Sequence, residues 1–410
     1  MADASLQLEV NATMPLSATK RREPARRHST DNNGLVCSLL NWFCQNARDL
    51  PWRRTNDPYA IWISEIMLQQ TQVKTVISYW TRWMEKLPNV ETFARARPQQ
   101  VLKLWEGLGY YARVRNAHAA AKEIVQKFSG KFPAKFDDVL ALPGIGRYTA
   151  GALCSIAFNQ PEPILDGNAA RVLCRIFGIR RDPREKATNA RLWRIARELV
   201  EAAARETHTA SASNGGDGIR PCSALNQALM ELGALVCTPT QPKCSTCPVT
   251  PFCQASKSGK PEAFPARKKL ATATRRRFVA FIVQKGNCFL VRQRPSGGVN
   301  AHFWEFPNLE IKLTDTNLEV IARPFSIIDS APCCHLRHTI TRYRIELEAY
   351  RAGLTASTTK RSAHGTWRTA TQLRQMPLVN AHRRILDHLA AKNSRRTGGK
   401  NIRDIREIRG

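Results

Sequence analysis

Between Leu35 and about Cys253, apolar residues recur at three- and four-residue spacing, and almost no two-residue alternation interrupts them. The spacing predicts helices over Leu35 to Asn46, Ile61 to Lys86, Pro98 to Glu106, Asn116 to Phe128, Tyr148 to Phe158, Asn168 to Phe177, Asn189 to Arg205 and Ala224 to Val236. A small, polar stretch at 207–218 reads as a mobile surface insertion between two of them. Past residue 275 the period changes. Phe278 to Val283 and Cys288 to Arg294 flank the turn Lys285-Gly286-Asn287 as a hairpin would, and Tyr343, Ile345, Leu347 and Ala349 alternate with polar residues as a half-buried strand does. A helix from Ala381 to Ala391 closes this second, α+β part. The expected organisation is a disordered arm at 1–33, a helical domain at 34–255, a linker at 256–274 rich in Ser, Gly, Lys and Pro, a mixed domain at 275–391 and a loose basic tail at 392–410.

Composition narrows the class. The chain has 410 residues, enough for two or three domains with their own cores, and 43% of them are hydrophobic, a globular figure. The formal charge of +30 exceeds what solubility requires and points to a polyanionic partner. No apolar run is long enough to cross a bilayer and the N-terminus lacks the apolar core of a secretory signal, so a soluble intracellular protein with no membrane partner is expected. In a reducing compartment, clustered cysteines more often hold metal than form disulfides.

Four stretches carry candidate chemistry. WISEIMLQQTQ, Trp62 to Gln72, places Glu65 on a helix with no basic residue three or four positions away, among Ile66, Met67 and Leu68. Cys237, Cys244, Cys247 and Cys253 have the spacing C-x6-C-x2-C-x5-C, short enough to wrap four thiolates round one tetrahedral centre, and on spacing alone zinc and a cubane iron–sulfur cluster stay nearly level. LPGIGRYTAG, Leu142 to Gly151, has Gly144 and Gly146 in a tight turn between short helices, where backbone N–H groups can hold a phosphate; a plain helical corner explains two glycines equally well. ILDGNAARV sets Asp166 at a helix start, where an N-cap is the ordinary reading.

Together with GLGYYARVRN, Gly107 to Asn116, these motifs stand in the order and approximate spacing of the helix-hairpin-helix DNA glycosylases, and the chain resembles the MutY-type adenine DNA glycosylases from about residue 35 to 391. The resemblance implies a mainly α fold: a two-lobed helix-hairpin-helix core with the DNA cleft between lobes, a [4Fe–4S] cluster on the loop 237–253, and a C-terminal α+β Nudix-like domain that recognises 8-oxoguanine. It implies a monomer acting on double-stranded DNA that carries adenine opposite 8-oxoguanine or G. By position Glu65 matches the catalytic acid and Asp166 the carboxylate beside the sugar cation, with Asn168 and Tyr148 around that sugar. Apolar neighbours raise a carboxyl's pKa, which is how a glutamate keeps a proton near neutrality. Gln69, Gln70 and Tyr110 match residues that enter the base stack around the 8-oxoguanine, and Trp52, Arg53 and Gln227 match adenine-pocket positions.

Two departures matter. Bifunctional relatives such as endonuclease III carry a lysine where Tyr148 stands, and a phenol cannot form a Schiff base with the sugar, so a monofunctional enzyme leaving an abasic site is expected. The Nudix-like half has no G-x5-E-x7-R-E-x2-E-E box, and Ile340, Thr341 and Arg342 stand where many members have Phe-Ser-His, leaving Thr341 as the hydroxyl that approaches the lesion. The rival readings are a bifunctional glycosylase for oxidised pyrimidines, which should have lysine at 148 and no second domain, and a noncatalytic iron–sulfur DNA-binding protein, which leaves Glu65 and Asp166 unexplained.

Overall fold

Helix α2, Pro58–Leu68, shows why the helical half folds as it does. Asp57 caps it by accepting the backbone N–H groups of Tyr59 and Ala60, Pro58 opens its first turn, and residues Tyr59 to Met67 are all buried. A helix that is apolar on every side must be enclosed by others. In this computed structural model, which describes residues 29–210, 220–266, 273–297, 299–315, 317–318, 322, 325–340, 342–355 and 365–398, the enclosure is supplied by two separate cores. One is built around Trp62, Trp83, Phe93 and Trp105, from α2, α3 (Val73–Lys86), α4 (Val90–Arg95), α5 (Pro98–Leu104) and α6 (Ala112–Phe128), closed by α7 (Phe136–Leu140) and α8 (Arg147–Ala152). The other gathers α1 (Ser29–Asn46), α9 (Gly167–Ile176), α10 (Lys186–Ala210) and α11 (Pro221–Leu235) round Leu39, Leu173, Leu199 and Leu229. Two cores give the two lobes that the resemblance implies.

The sheet half is organised on β1 (Thr274–Lys285), which pairs in parallel with β4 (Tyr343–Leu354) over ten residue pairs and antiparallel with β2 (Cys288–Gln293) and β3 (Asn308–Ile311). Along β1, Ala280 and Ile282 face one core with Ile385, Leu386 and Leu389, while Val279, Phe281 and Val283 face another with Tyr350 and Ala352. A strand covered on both faces reads as a continuous apolar run, which is how Phe278 to Val283 appears in the sequence. The expected hairpin is present, with Lys285 paired to Cys288. The helix Asn380–Gly398 packs on the first of these faces.

Several expectations need correcting. The helix expected over 61–86 is two helices, because Gln70 has φ 58°, a left-handed conformation that ends α2 and turns the chain before α3. Helix α10 runs to Ala210, into the stretch expected to be a polar insertion, and the last helix runs to Gly398, beyond the expected start of a loose tail. The linker expected at 256–274 includes the end of the short helix Gln254–Lys257 and a 3-10 turn at Pro261–Ala263. Residues 1–28 of the arm, 211–218 of the insertion, 267–272 of the linker, Thr341 and the tail from 399 lie outside the described residues. Among the described residues no helix is long and apolar enough to cross a membrane.

The iron–sulfur loop is also corrected. Among the described residues no group of three or more His, Cys, Asp or Glu side chains is arranged to hold a metal ion, so the four-cysteine ligand set expected at 237–253, and the [4Fe–4S] cofactor with it, is overturned. Cys237, Cys244, Cys247 and Cys253 are free thiols lining one cavity beside Arg175. Two of them are hydrogen-bonded to Arg175, whose Nη1 donates to Cys237 Sγ at 3.3 Å and whose carbonyl accepts Cys253 Sγ at 3.4 Å. Burial pushes the Cys247 thiol up to about 11 and raises Cys244 and Cys253, which favours protonated sulfur. Sequence spacing places four thiols in one loop but does not orient their sulfur atoms. Here Arg175 braces the loop, donating to the carbonyls of Thr238, Pro239 and Phe264.

Candidate active site

Glu65 lies in the middle of α2, buried at 5% exposure, and its Oε2 accepts the Tyr148 hydroxyl at 2.8 Å. Tyr148 comes from α8, directly after the turn containing Gly144 and Gly146. Burial is the main influence on Glu65 and pushes its carboxyl up to about 7; the Tyr148 hydrogen bond pulls down, the Asp166 charge pushes up, and Arg53 pulls down. The same enclosure raises the Tyr148 phenol well above its ordinary value, with Glu65 and Asp166 adding to the rise, so it is a hydrogen-bond donor and not a base.

Asp166 approaches from the opposite lobe. Its Oδ1 accepts the backbone N–H of Ala169 at 2.7 Å, capping α9, and its Oδ2 accepts Asn168 Nδ2 at 3.1 Å. Asp166, the residue expected beside the sugar, is therefore also the N-cap of α9. Asn168 is held in turn by Arg171, whose Nη2 donates to Asn168 Oδ1 at 2.8 Å while the same guanidinium reaches the Gly233 and Cys237 carbonyls. Gly233 permits this approach, since a Cβ there would lie 2.7 Å from Asn168 Cβ.

The residues expected at the adenine pocket separate into two kinds. Arg53 Nε donates to Gln227 Oε1 at 3.0 Å, and its other nitrogens reach Glu231, which Arg48 also holds; the two guanidiniums overcome burial and lower the Glu231 carboxyl to about 2. Trp52 is buried in the first core and packs edge-on to Trp80 at 6.0 Å. Gln69 and Gln70 form the break after α2, and Tyr110 is 46% exposed on a left-handed backbone with φ 48°. Gly144, φ 74°, cannot take a side chain because Asn116 occupies the space, whereas Gly146, at the N-cap position of α8, has open space where a Cβ would sit.

Arg113 was not singled out by sequence reasoning, although it lies within GLGYYARVRN. Its Nη1 donates to the carbonyls of Ile66 at 2.6 Å, Met67 at 3.3 Å and Gln69 at 2.5 Å, and its Nη2 to those of Leu108 and Gly109 at 3.2 Å. The guanidinium also lies 5.6 Å from the Tyr110 ring. One side chain thus joins the segment bearing Gln69 and Gln70 to the one bearing Tyr110.

Comparison with known proteins agrees with this layout. The model of the HhH-GPD superfamily of base excision DNA repair proteins matches residues 63–198, and that of the NUDIX domain matches 278–388. The adenine DNA glycosylase of Homo sapiens is 35% identical over 389 residues, covering 78% of this chain and 67% of its own length. That of Rattus norvegicus is 34% identical, covering 85% of this chain and 76% of its own, and that of Schizosaccharomyces pombe is 32% identical, covering 76% and 74%.

Proposed function

Because this chain belongs to the adenine DNA glycosylase family, we propose that it hydrolyses the N-glycosidic bond of adenine lying opposite 8-oxoguanine or guanine in duplex DNA, and leaves an abasic site. The observation that carries the reading is the buried Glu65 carboxyl, hydrogen-bonded at 2.8 Å to Tyr148 and held near pH 7 by its surroundings. Adenine leaves its sugar poorly as an anion. A proton delivered by Glu65 to a ring nitrogen, N7 in this reading, neutralises the departing base. The sugar then carries oxocarbenium-like positive charge, for which the Asp166 carboxylate, steadied by Asn168, is the counterion. Glu65, having lost its proton, accepts one from the attacking water.

The roles of the remaining residues follow. Gln69, Gln70 and Tyr110 enter the stack as adenine is extruded, offsetting the few kcal/mol that extrusion costs. Arg53 and Gln227 read the base edge, with Trp52 supporting that wall. The turn at Gly144 and Gly146 holds a phosphate on its backbone N–H groups. Thr341 is assigned the hydroxyl contact with the lesion on its sequence position alone. With tyrosine at 148, the chain has no amine there to trap the sugar.

The test is a panel of duplexes holding A opposite 8-oxoguanine, A opposite G, or an oxidised pyrimidine. Strand cutting only on the adenine strand and only after alkali is expected. Cutting without alkali, or a borohydride-trapped protein–DNA adduct in high yield, contradicts it.

A further inference from the structure

The two halves of the chain meet around Glu106, and the meeting point borders the segment that carries Tyr110. Glu106 Oε1 accepts Arg383 Nε at 2.9 Å and the Leu378 backbone N–H at 3.3 Å, and its Oε2 accepts Lys103 Nζ at 2.5 Å and Arg383 Nη2 at 3.3 Å. Arg383 also donates to the carbonyls of Leu373 and Met376, so it is fixed within its own half. Beside this pair Phe303 crosses over. It belongs by sequence to the sheet half, yet it is fully buried in the first helical core, with its ring 4.0 Å from that of Tyr111. The loop that delivers it has left-handed backbone at two non-glycine residues, Asn300 with φ 59° and His302 with φ 68°. Such conformations persist where surrounding structure enforces them.

The contact reaches Tyr110 through short distances along the chain. Tyr111 hydroxyl accepts the Gly107 backbone N–H at 3.3 Å, and Tyr79 hydroxyl donates to the Glu106 carbonyl at 2.8 Å. Glu106 and Tyr111 therefore bracket the segment Gly107 to Tyr110, and both are held from the sheet half, one by Arg383 and one by Phe303. Within the bracket, Gly107, Gly109 and Tyr110 all have positive φ.

We propose that Phe303 and Arg383 are positioning residues: the sheet half sets the geometry of the Tyr110 wedge through this joint, and so contributes to grip on the lesion without touching it there. This rests on the reading that Tyr110 enters the duplex beside the oxidised purine. An interdomain pair formed only to fasten two halves would have no reason to affect the wedge.

The experiment uses the full chain with Phe303→Ala and, separately, Arg383→Gln, each alone and combined with Tyr110→Ala. Affinity is measured for a duplex with 8-oxoguanine opposite a non-hydrolysable 2′-fluoro adenine nucleotide, and adenine release is followed in single turnover at saturating enzyme. Each single variant should weaken binding about tenfold and leave the saturated release rate within about twofold, and neither should weaken binding further once Tyr110 is alanine, as expected of coupled positions. Parental affinity in both variants, a slowed saturated rate at unchanged affinity, or a further loss of about threefold or more in the Tyr110→Ala background overturns the proposal. Arg383→Gln removes no core ring and so remains informative should Phe303→Ala unfold. A parent chain that binds but releases no adenine would defeat the functional reading instead, and the binding comparison would still report on the joint.

Discussion

Burial makes Glu65 a weaker acid than an exposed glutamate, so it still holds a proton near neutral pH and has one to give. Its pKa near 7 predicts that adenine release, limited by the protonated acid, falls about tenfold per unit as pH rises above 7. A rate that stays flat from pH 6 to 9 in single turnover would remove Glu65 from the role of acid. Glu65→Gln keeps an acceptor for the Tyr148 hydroxyl but has no such proton, and should slow release by about 10²-fold or more. The same burial has a consequence for stability. The folded pKa is raised above the ordinary 4.5, so the favourable protonated state is fully present below that value and is lost as pH rises through about 7. Above pH 8 the ionised carboxylate destabilises the fold by on the order of 3 kcal/mol, and Glu65→Gln should relieve it. The variant should therefore melt higher than the parent at pH 8.5 and close to it at pH 4.5; equal melting at both would show the carboxylate to be solvated. The candidate acid was legible because a lone glutamate among Ile66, Met67 and Leu68 has a definite chemical expectation. Its partner was placed near the sugar by motif, but the Tyr148 hydrogen bond depends on how two distant helices pack, which spacing along the chain cannot supply.

At the scale of elements, the helices legible from periodicity were found close to where apolar spacing put them, and the failures have local causes. Ile61 to Lys86 keeps helical spacing straight through Gln69 to Gln72, so nothing in the apolar pattern marks the break that Gln70 makes with its positive φ. That break frees the carbonyls of Ile66, Met67 and Gln69 from the helical ladder, and Arg113 takes them up. The Leu108 and Gly109 carbonyls are satisfied by the same guanidinium, which burial lowers only to about 10 and so leaves charged at neutral pH. Arg113→Ala should cost roughly 3 kcal/mol of stability, because several carbonyls in a partly buried site lose a charged donor together. Arg113→Lys should recover little of it, since an ammonium cannot reach two segments with a planar fork. Denaturant melts of both variants decide the matter, and a lysine variant as stable as the parent would mean that charge alone holds the two segments. The four-cysteine loop fails in the opposite way: a highly regular spacing was legible, but the orientation of the sulfur atoms round Arg175 was not written in it.

For the whole molecule the charge of +30 describes an electrostatic field that the individual contacts do not use up. Many arginines are already spent internally, as Arg48 and Arg53 are on Glu231 and Arg383 is on Glu106. With 63 Lys and Arg against 33 Asp and Glu, a net charge of +30 remains even with every acid matched to one base, and a duplex is the partner whose charge density matches it. Two lobes and a sheet half joined at Phe303 and Glu106 give that field a continuous scaffold, so phosphate contacts from both halves should act together. Affinity for an undamaged duplex should then fall steeply with salt, by about a hundredfold or more between 50 and 200 mM, because each neutralised phosphate releases a counterion. A duplex bearing A opposite 8-oxoguanine should show a similar slope displaced to tighter binding, since extrusion and base contacts add free energy that salt does not screen. Titrations of both duplexes across that range separate the two contributions. Parallel lines would assign the +30 to general attraction and specificity to the pocket and wedge, whereas a lesion duplex with a much steeper slope would mean that recognition itself recruits additional phosphates.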